Sequence, residues 1–83
     1  ERSGDTFAAD RGWARIAAAT PEGSDRWLDA TFRRVALLSR TAGAQPAPCD
    51  LLARAGVYRE RMNATLRKQF ADLNRENRCD GME

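Results

Sequence analysis

Residues 48–79, PCDLLARAGVYRERMNATLRKQFADLNRENRC, decide the fold, because they hold both cysteines and the clearest helical pattern of the chain. Apolar residues recur every three or four positions in this stretch, at Leu51, Ala55, Tyr58, Met62, Leu66, Phe70 and Leu73. Their mean spacing is about 3.7 residues, close to the period of a straight α-helix. The pattern predicts a helix over residues 50–75, with Gly56 as the place where it would break, since glycine destabilises a helix interior.

The two cysteines lie at opposite ends of this stretch, so an unbroken helix would keep them apart. Such a helix would be about 40 Å long, whereas a disulfide needs Cα atoms within about 7 Å of each other. An internal bridge between Cys49 and Cys79 therefore requires a bend near Gly56 and an extended return of residues 74–78. The alternatives are two bridges between antiparallel chains of a homodimer, or two free thiols in a cytosolic protein. We expect the internal bridge, since small exported domains commonly use their cysteines in this way.

Two further helices are predicted upstream, over roughly residues 6–19 and 24–41. Residues 20–23 have turn composition, and Ser24 is a good N-cap for the second helix, whose apolar residues recur at helical spacing. A proline-containing linker then leads to the third segment. The expected fold class is an all-α bundle of three to four helices, forming a single domain over residues 1–83 and held by one disulfide.

Catalysis is not expected from this composition. The chain has no histidine, which is the commonest general base and the commonest metal ligand. Two widely spaced cysteines make neither a zinc site nor a CxxC redox motif, and the scattered glycines make no phosphate-binding loop. Glu60 and Asp72 would lie about 18 Å apart on one helix, too far to act as a carboxylate pair. We therefore predict a protein that is not an enzyme and uses no metal or cofactor.

The charges also argue against nucleic-acid binding. The chain has 14 Lys and Arg against 12 Asp and Glu, for a net charge of +2. A basic run occurs in the third segment, but acidic residues interleave with it; its members are Arg54, Arg59, Arg61, Arg67 and Lys68. Such interleaving is typical of a solvated helix face.

Aromatic and arginine side chains are the best candidates for binding another protein, since Trp, Tyr and Arg dominate binding hot spots. The two tryptophans flank the predicted first turn, where they would form either a core cluster or an exposed apolar patch. The candidate partner-binding residues are Trp13, Trp27, Arg33, Arg34, Tyr58 and Arg61. We expect an apolar helical face with an arginine-rich rim to dock onto a partner protein.

Cysteine usage suggests the compartment. An even number of cysteines in a chain of 83 residues is typical of exported proteins. The sequence starts at Glu1 rather than Met, so we expect that an upstream segment was removed: a signal peptide, a membrane anchor, or residues beyond an artificial boundary of the sequence. The leading expectation is a bacterial periplasmic or secreted interaction module, monomeric or homodimeric. It would be an inhibitor, an immunity protein, a lysis regulator or an accessory subunit of an envelope assembly. The alternatives are a cytosolic regulatory or nucleic-acid-associated domain with free thiols, and the soluble part of a membrane-anchored protein.

Overall fold

The computed structural model describes residues 2–41 and 47–79, with the side chains of residues 8–41 and 47–79, and these residues form four α-helices. The helices are α1 (Arg2–Ala19), α2 (Asp25–Leu38), α3 (Pro48–Gly56) and α4 (Ala64–Glu76), and a 3-10 turn (Arg59–Arg61) lies between α3 and α4. No strand occurs within the described residues. The predicted all-α class with three to four helices is therefore confirmed.

The bounds of the first two helices differ from those expected. α1 begins at Arg2 rather than near residue 6, and α2 ends at Leu38 rather than near residue 41. The second helix ends early because the chain tightens there, with N–H groups of Arg40 and Thr41 bonding to carbonyls three residues back. Most of the predicted linker, residues 42–46, lies outside the described residues.

The predicted 50–75 helix is interrupted after Gly56, and the interruption turns the chain back on itself. α3 ends at this glycine, and Asn63 starts α4 as an N-cap, its Oδ1 accepting a hydrogen bond from the N–H of Leu66 at 2.7 Å. The two short helices therefore form a hairpin. The break thus falls at Gly56, where the sequence predicts it. The periodicity does not reveal the turn that follows, because Tyr58 and Met62 keep the apolar spacing although neither lies in an α-helix.

The hairpin brings together its two ends, where the cysteines lie. Cys49 in the first turn of α3 and Cys79 just beyond α4 form a disulfide with Cα atoms 5.4 Å apart, so the predicted internal bridge is confirmed. The expected extended return is wrong, since α4 remains helical to Glu76. Instead Arg78 adopts φ 56°, and the N–H groups of residues 78 and 79 bond to the carbonyls of Arg75 and Asn74. These are the two hydrogen bonds of a Schellman motif, which ends the helix and redirects the chain.

The hydrophobic core lies between α2 and the hairpin. Its buried members are Trp27, Leu28, Val35, Leu38, Leu51, Leu52, Ala55, Met62, Phe70 and Leu73. Phe32 meets Phe70 edge to face, with ring centroids 5.7 Å apart. α1 contributes little to this core, because Asp10 is its only buried residue among those whose side chains are described. The first helix is therefore held against α2 mainly by other means.

Reducing the disulfide is expected to destabilise the protein by about 3–4 kcal/mol, because a bridge between residues 30 apart restricts the unfolded chain. For a small domain this corresponds to a drop in melting temperature of roughly 15 °C or more. Thermal unfolding of oxidised and reduced samples measures it, with the Cys49→Ser/Cys79→Ser variant as a reductant-free comparison. Superimposable melting curves would contradict the prediction.

Candidate interaction site

The six residues predicted to bind a partner fall into two groups in the structure, and both groups make contacts within the protein. The first group lies between α1 and α2. Arg34 donates from Nε at 2.7 Å and from Nη2 at 3.3 Å to the two carboxylate oxygens of Asp10, and the two side chains are only 15% and 8% exposed. This bidentate pair fastens a helix that buries no apolar side chain among those described.

Trp13 and Arg33 complete the contact between the first two helices. The guanidinium carbon of Arg33 lies 4.8 Å from the ring centroid of the half-buried Trp13, which is a cation–π contact. The Nε of Arg33 also pairs with Asp29 at 3.2 Å on the exposed side of α2. Both contacts leave Arg33 itself exposed, whereas Arg34 is enclosed by the helix pair.

The second group joins the α1–α2 turn to the turn of the hairpin. Trp27 is buried and meets the ring of Tyr58 edge to face, with centroids 5.5 Å apart, and the guanidinium of Arg61 lies 5.5 Å from the same tyrosine ring. The Tyr58 hydroxyl donates to Oε2 of Glu22 at 2.9 Å. The Nε of Arg54 lies 3.7 Å from the same oxygen, so the Glu22 carboxylate interacts with both the phenol of Tyr58 and the guanidinium of Arg54.

The contacts of the second group require a glycine at position 23. It adopts φ 88°, a left-handed conformation that residues with a Cβ rarely take, and the Tyr58 ring packs directly on it. A Cβ at this position would lie 2.5 Å from Cδ1 of Tyr58. The close approach of the ring to the backbone therefore depends on glycine.

Gly23→Ala is expected to destabilise the protein by about 2–3 kcal/mol, from the strained backbone and the displaced ring. Gly12→Ala is the matched control, because a Cβ there meets nothing within 4 Å. Since Gly12 lies inside α1, the control is expected to stabilise by up to about 1 kcal/mol. Urea unfolding measures both variants, and the same change in both would contradict the assignment.

The hydrogen bond to Glu22 raises the pKa of Tyr58 above its ordinary value. Loss of solvent and the negative charge of Glu22 act in the same direction, whereas the charges of Arg61 and Arg54 lower the pKa. A raised pKa in the folded state means that the protonated phenol favours folding. This contribution is present below the unfolded pKa and is lost as the pH rises through the folded pKa.

Glu22→Gln is therefore expected to lower the pKa of Tyr58. Tyr58 is the one tyrosine of the chain, so an ultraviolet titration of phenolate reports on it alone. Tyr58→Phe serves as the control for the alkaline loss of stability, because it removes the titrating group. Identical titration curves for the natural protein and Glu22→Gln would refute the role of this hydrogen bond.

A cleft of about 280 Å³ opens between the end of α3, the 3-10 turn and α4, and is called here the α3–α4 cleft. Its lining consists of Gly56, Arg59, Met62, Arg67, Phe70, Ala71 and Asn74. Met62 and Phe70 belong to the buried core, so the floor of the cleft is continuous with the core. The arginines supply the polar rim.

The rim of the α3–α4 cleft is positively charged. Arg67 donates from Nη2 to the carbonyl of Met62 at 3.1 Å, which holds its guanidinium beside the cleft. Within the described residues, neither Arg59 nor Arg67 forms an ion pair with a carboxylate. Oδ1 of Asn74 is shielded from water and accepts no hydrogen bond in this part of the chain.

Two other clefts have carboxylates in their lining. A cleft of about 490 Å³ near the start of α2 is lined by the carboxylates of Asp25 and Asp29 and by the guanidinium of Arg61. In a third, between α1, α2 and α3, Arg34 and Arg54 line the wall, and each already pairs with a carboxylate. The α3–α4 cleft is thus the one of these three whose lining combines an apolar floor with arginines and contains no carboxylate.

The part of the chain that the structure describes contains no group of three or more Cys, Asp or Glu side chains arranged to hold a metal ion. None of its helices is both long enough and apolar enough to cross a membrane. No protein-family model matches this chain, and no curated protein or solved structure matches it either. The α3–α4 cleft must therefore be interpreted from its own chemistry.

The sequence pattern did not predict this cleft. The interleaved charges predict a solvated helix face for Arg59 and Arg67, and Asn74 belongs to the expected return of residues 74–78, so nothing in the pattern brings the three residues to one cleft. An available signal was Asn63, whose short polar side chain suits the start of a helix. Placing a helix start there separates Arg59 from Arg67 by a turn and lets them flank the same cleft.

Proposed function

We propose that this protein is a small periplasmic or secreted, non-catalytic module that binds another protein through the α3–α4 cleft. One observation carries the proposal: an apolar floor continuous with the core lies between two arginines without carboxylate partners among the described residues. Protein interfaces combine a buried apolar centre with a polar rim, and arginine is enriched in them.

The size of the cleft is compatible with a single protein side chain as its occupant. At about 280 Å³ it lies at the lower end of the range of about 300–1,000 Å³ that is typical of pockets for cofactors and drug-sized molecules. A volume of this order suits one large apolar side chain. A single side chain inserted into a pocket is a common anchor of protein interfaces.

The disulfide supports the proposed location outside the cytosol. Disulfides persist in oxidising compartments and are rare in cytosolic proteins. The bridge between Cys49 and Cys79 also closes the hairpin that forms the cleft. Whether such a module serves as an inhibitor, an immunity protein, a lysis regulator or an accessory subunit is decided by its partner.

The alternative of a nucleic-acid-associated domain has less support. Binding of single strands relies on exposed aromatic rings as stacking platforms. Here Trp27 and Phe70 are 6% and 1% exposed, and Tyr58 lies between Trp27 and Arg61. Several basic side chains on the surface are already paired with carboxylates, among them Arg33, Lys68 and Arg75. These features favour a protein partner.

A photo-crosslinking residue at Ala71 is expected to trap one discrete partner in living cells that express the natural gene. Ala71 is exposed and lines the cleft, whereas Ala9 is exposed on α1 and serves as the matched control position. We expect a covalent adduct with the partner only when the photo-crosslinking residue is at position 71, and we expect it in the envelope or culture-medium fraction. Similar adducts from both positions, or none from position 71, would overturn the proposal.

The same cells test the compartment. Rapid acid quenching followed by alkylation is expected to leave both cysteines unlabelled until a reductant is added. Two labelled thiols in the quenched protein would place it in a reducing compartment and favour the cytosolic alternative.

A further inference from the structure

We propose that the occupant of the α3–α4 cleft is an acidic peptide segment of the partner protein. One apolar side chain of the segment enters the cleft, its flanking carboxylates pair with Arg59 and Arg67, and one of its peptide N–H groups donates to Oδ1 of Asn74. This inference rests on the proposed function and adds the chemistry of the partner.

The acidic character of the segment follows from Arg59 and Arg67, which have no carboxylate within ion-pair distance among the described residues. Exposed cations elsewhere share this property, among them Arg15 and Arg26, but of these four only Arg59 and Arg67 line the α3–α4 cleft. A guanidinium offers a planar set of donors that matches a carboxylate, so two of them beside one cleft select a partner with negative charges.

The single apolar side chain of the partner segment is inferred from the residues at the floor of the α3–α4 cleft. Met62 and Phe70 are 5% and 1% exposed, and Gly56 and Ala71 add no bulk beside them. A cleft of about 280 Å³ floored by such residues fits one side chain of the size of Leu, Met or Phe. If the segment had several bulky apolar residues, the cleft would hold one of them and the rest would stay exposed to water.

The main-chain hydrogen bond from the partner peptide is inferred from the side chain of Asn74. Its Oδ1 lacks a hydrogen-bond partner in the described structure and is shielded from water, which is unfavourable for a strong acceptor. The terminal amide torsion of asparagine has a broad energy well, so a rotation can turn Oδ1 toward the cleft that the residue lines. A peptide lying across the cleft carries a main-chain donor for this oxygen whatever its sequence.

The test uses the oxidised full chain, labelled with ¹⁵N, and a synthetic capped peptide of twelve residues with one central Leu flanked by Glu. Two matched peptides replace every Glu by Gln, or the Leu by Ser. We expect chemical-shift changes concentrated at residues lining the cleft, such as Gly56 and Ala71, and binding at least about tenfold weaker for each matched peptide. Equal binding of the Gln peptide would overturn the acidic character, and equal binding of the Ser peptide would overturn the apolar anchor.

Charge-matched variants separate a site from diffuse attraction. Arg59→Gln/Arg67→Gln is expected to weaken the Glu peptide about tenfold, whereas Arg15→Gln/Arg26→Gln, with the same change of net charge, is expected to weaken it less than twofold. All four arginines are exposed, so both variants should fold. Equal losses in the two variants would overturn the inference, as would displacement of the peptide by a short single-stranded DNA.

Asn74→Leu tests the hydrogen bond separately. Removing an unpaired acceptor is expected to raise the melting temperature of the free protein while weakening the peptide several-fold. A more stable variant with unchanged affinity would remove Asn74 from the site. If the acidic peptide fails to bind but Ala71 still traps a partner in cells, this inference fails and the proposed function stands. If Ala71 traps nothing, the proposed function fails as well.

Discussion

The disulfide between Cys49 and Cys79 is the constraint on which the rest of the structure depends. It joins the start of α3 to the end of α4, so the two helices must run antiparallel to each other. Their apolar faces together form the surface that covers α2. Polar contacts support the same end of the hairpin: Asn77 donates from Nδ2 to Oγ of Ser39 at 2.9 Å and to the carbonyl of Leu73 at 2.8 Å. The end of α2 and the end of α4 are thereby tied beside the bridge. In so small a chain, covalent closure compensates for a core of limited area.

α1 is attached by a different kind of interaction. Among its described side chains it buries Asp10 rather than a row of apolar residues, and it is positioned by the bidentate pair with Arg34 and by the contact of Trp13 with Arg33. An enclosed ion pair is geometrically specific, but the cost of removing both charges from water offsets much of its attraction. Among the described residues the buried apolar side chains therefore lie in α2 and the hairpin, and α1 is docked against α2 by these polar and cation–π contacts.

Part of this architecture was readable from the sequence, and the physical reasons differ between elements. α2 was predictable because a capping residue and an apolar stripe agree, and Ser24 does accept a hydrogen bond from the N–H of Trp27 at 3.2 Å. The bridge was predictable from the cysteine count and the size of the chain. The hairpin turn was only half predictable: Gly56 marked its start, but Tyr58 and Met62 continued the helical period through it. Both occupy positions where a 3-10 turn also faces the core, so periodicity alone could not separate one long helix from two short ones.

The turn that escaped the periodicity is also what creates the α3–α4 cleft. An unbroken helix would have spaced Arg59 and Arg67 along a single rod, and Cys49 could not have reached Cys79. Breaking the helix after Gly56 lets the bridge form at one end of the hairpin and leaves a cleft near its turn, lined by Met62 and Phe70. Asn74 shares in both features, because its backbone carbonyl accepts the N–H of Cys79 while its side chain lines the cleft. Oδ1 of that residue has no hydrogen-bond partner among the described residues, which is a local cost. A structure closed by a disulfide can sustain such a cost where a purely apolar lining would be more stable.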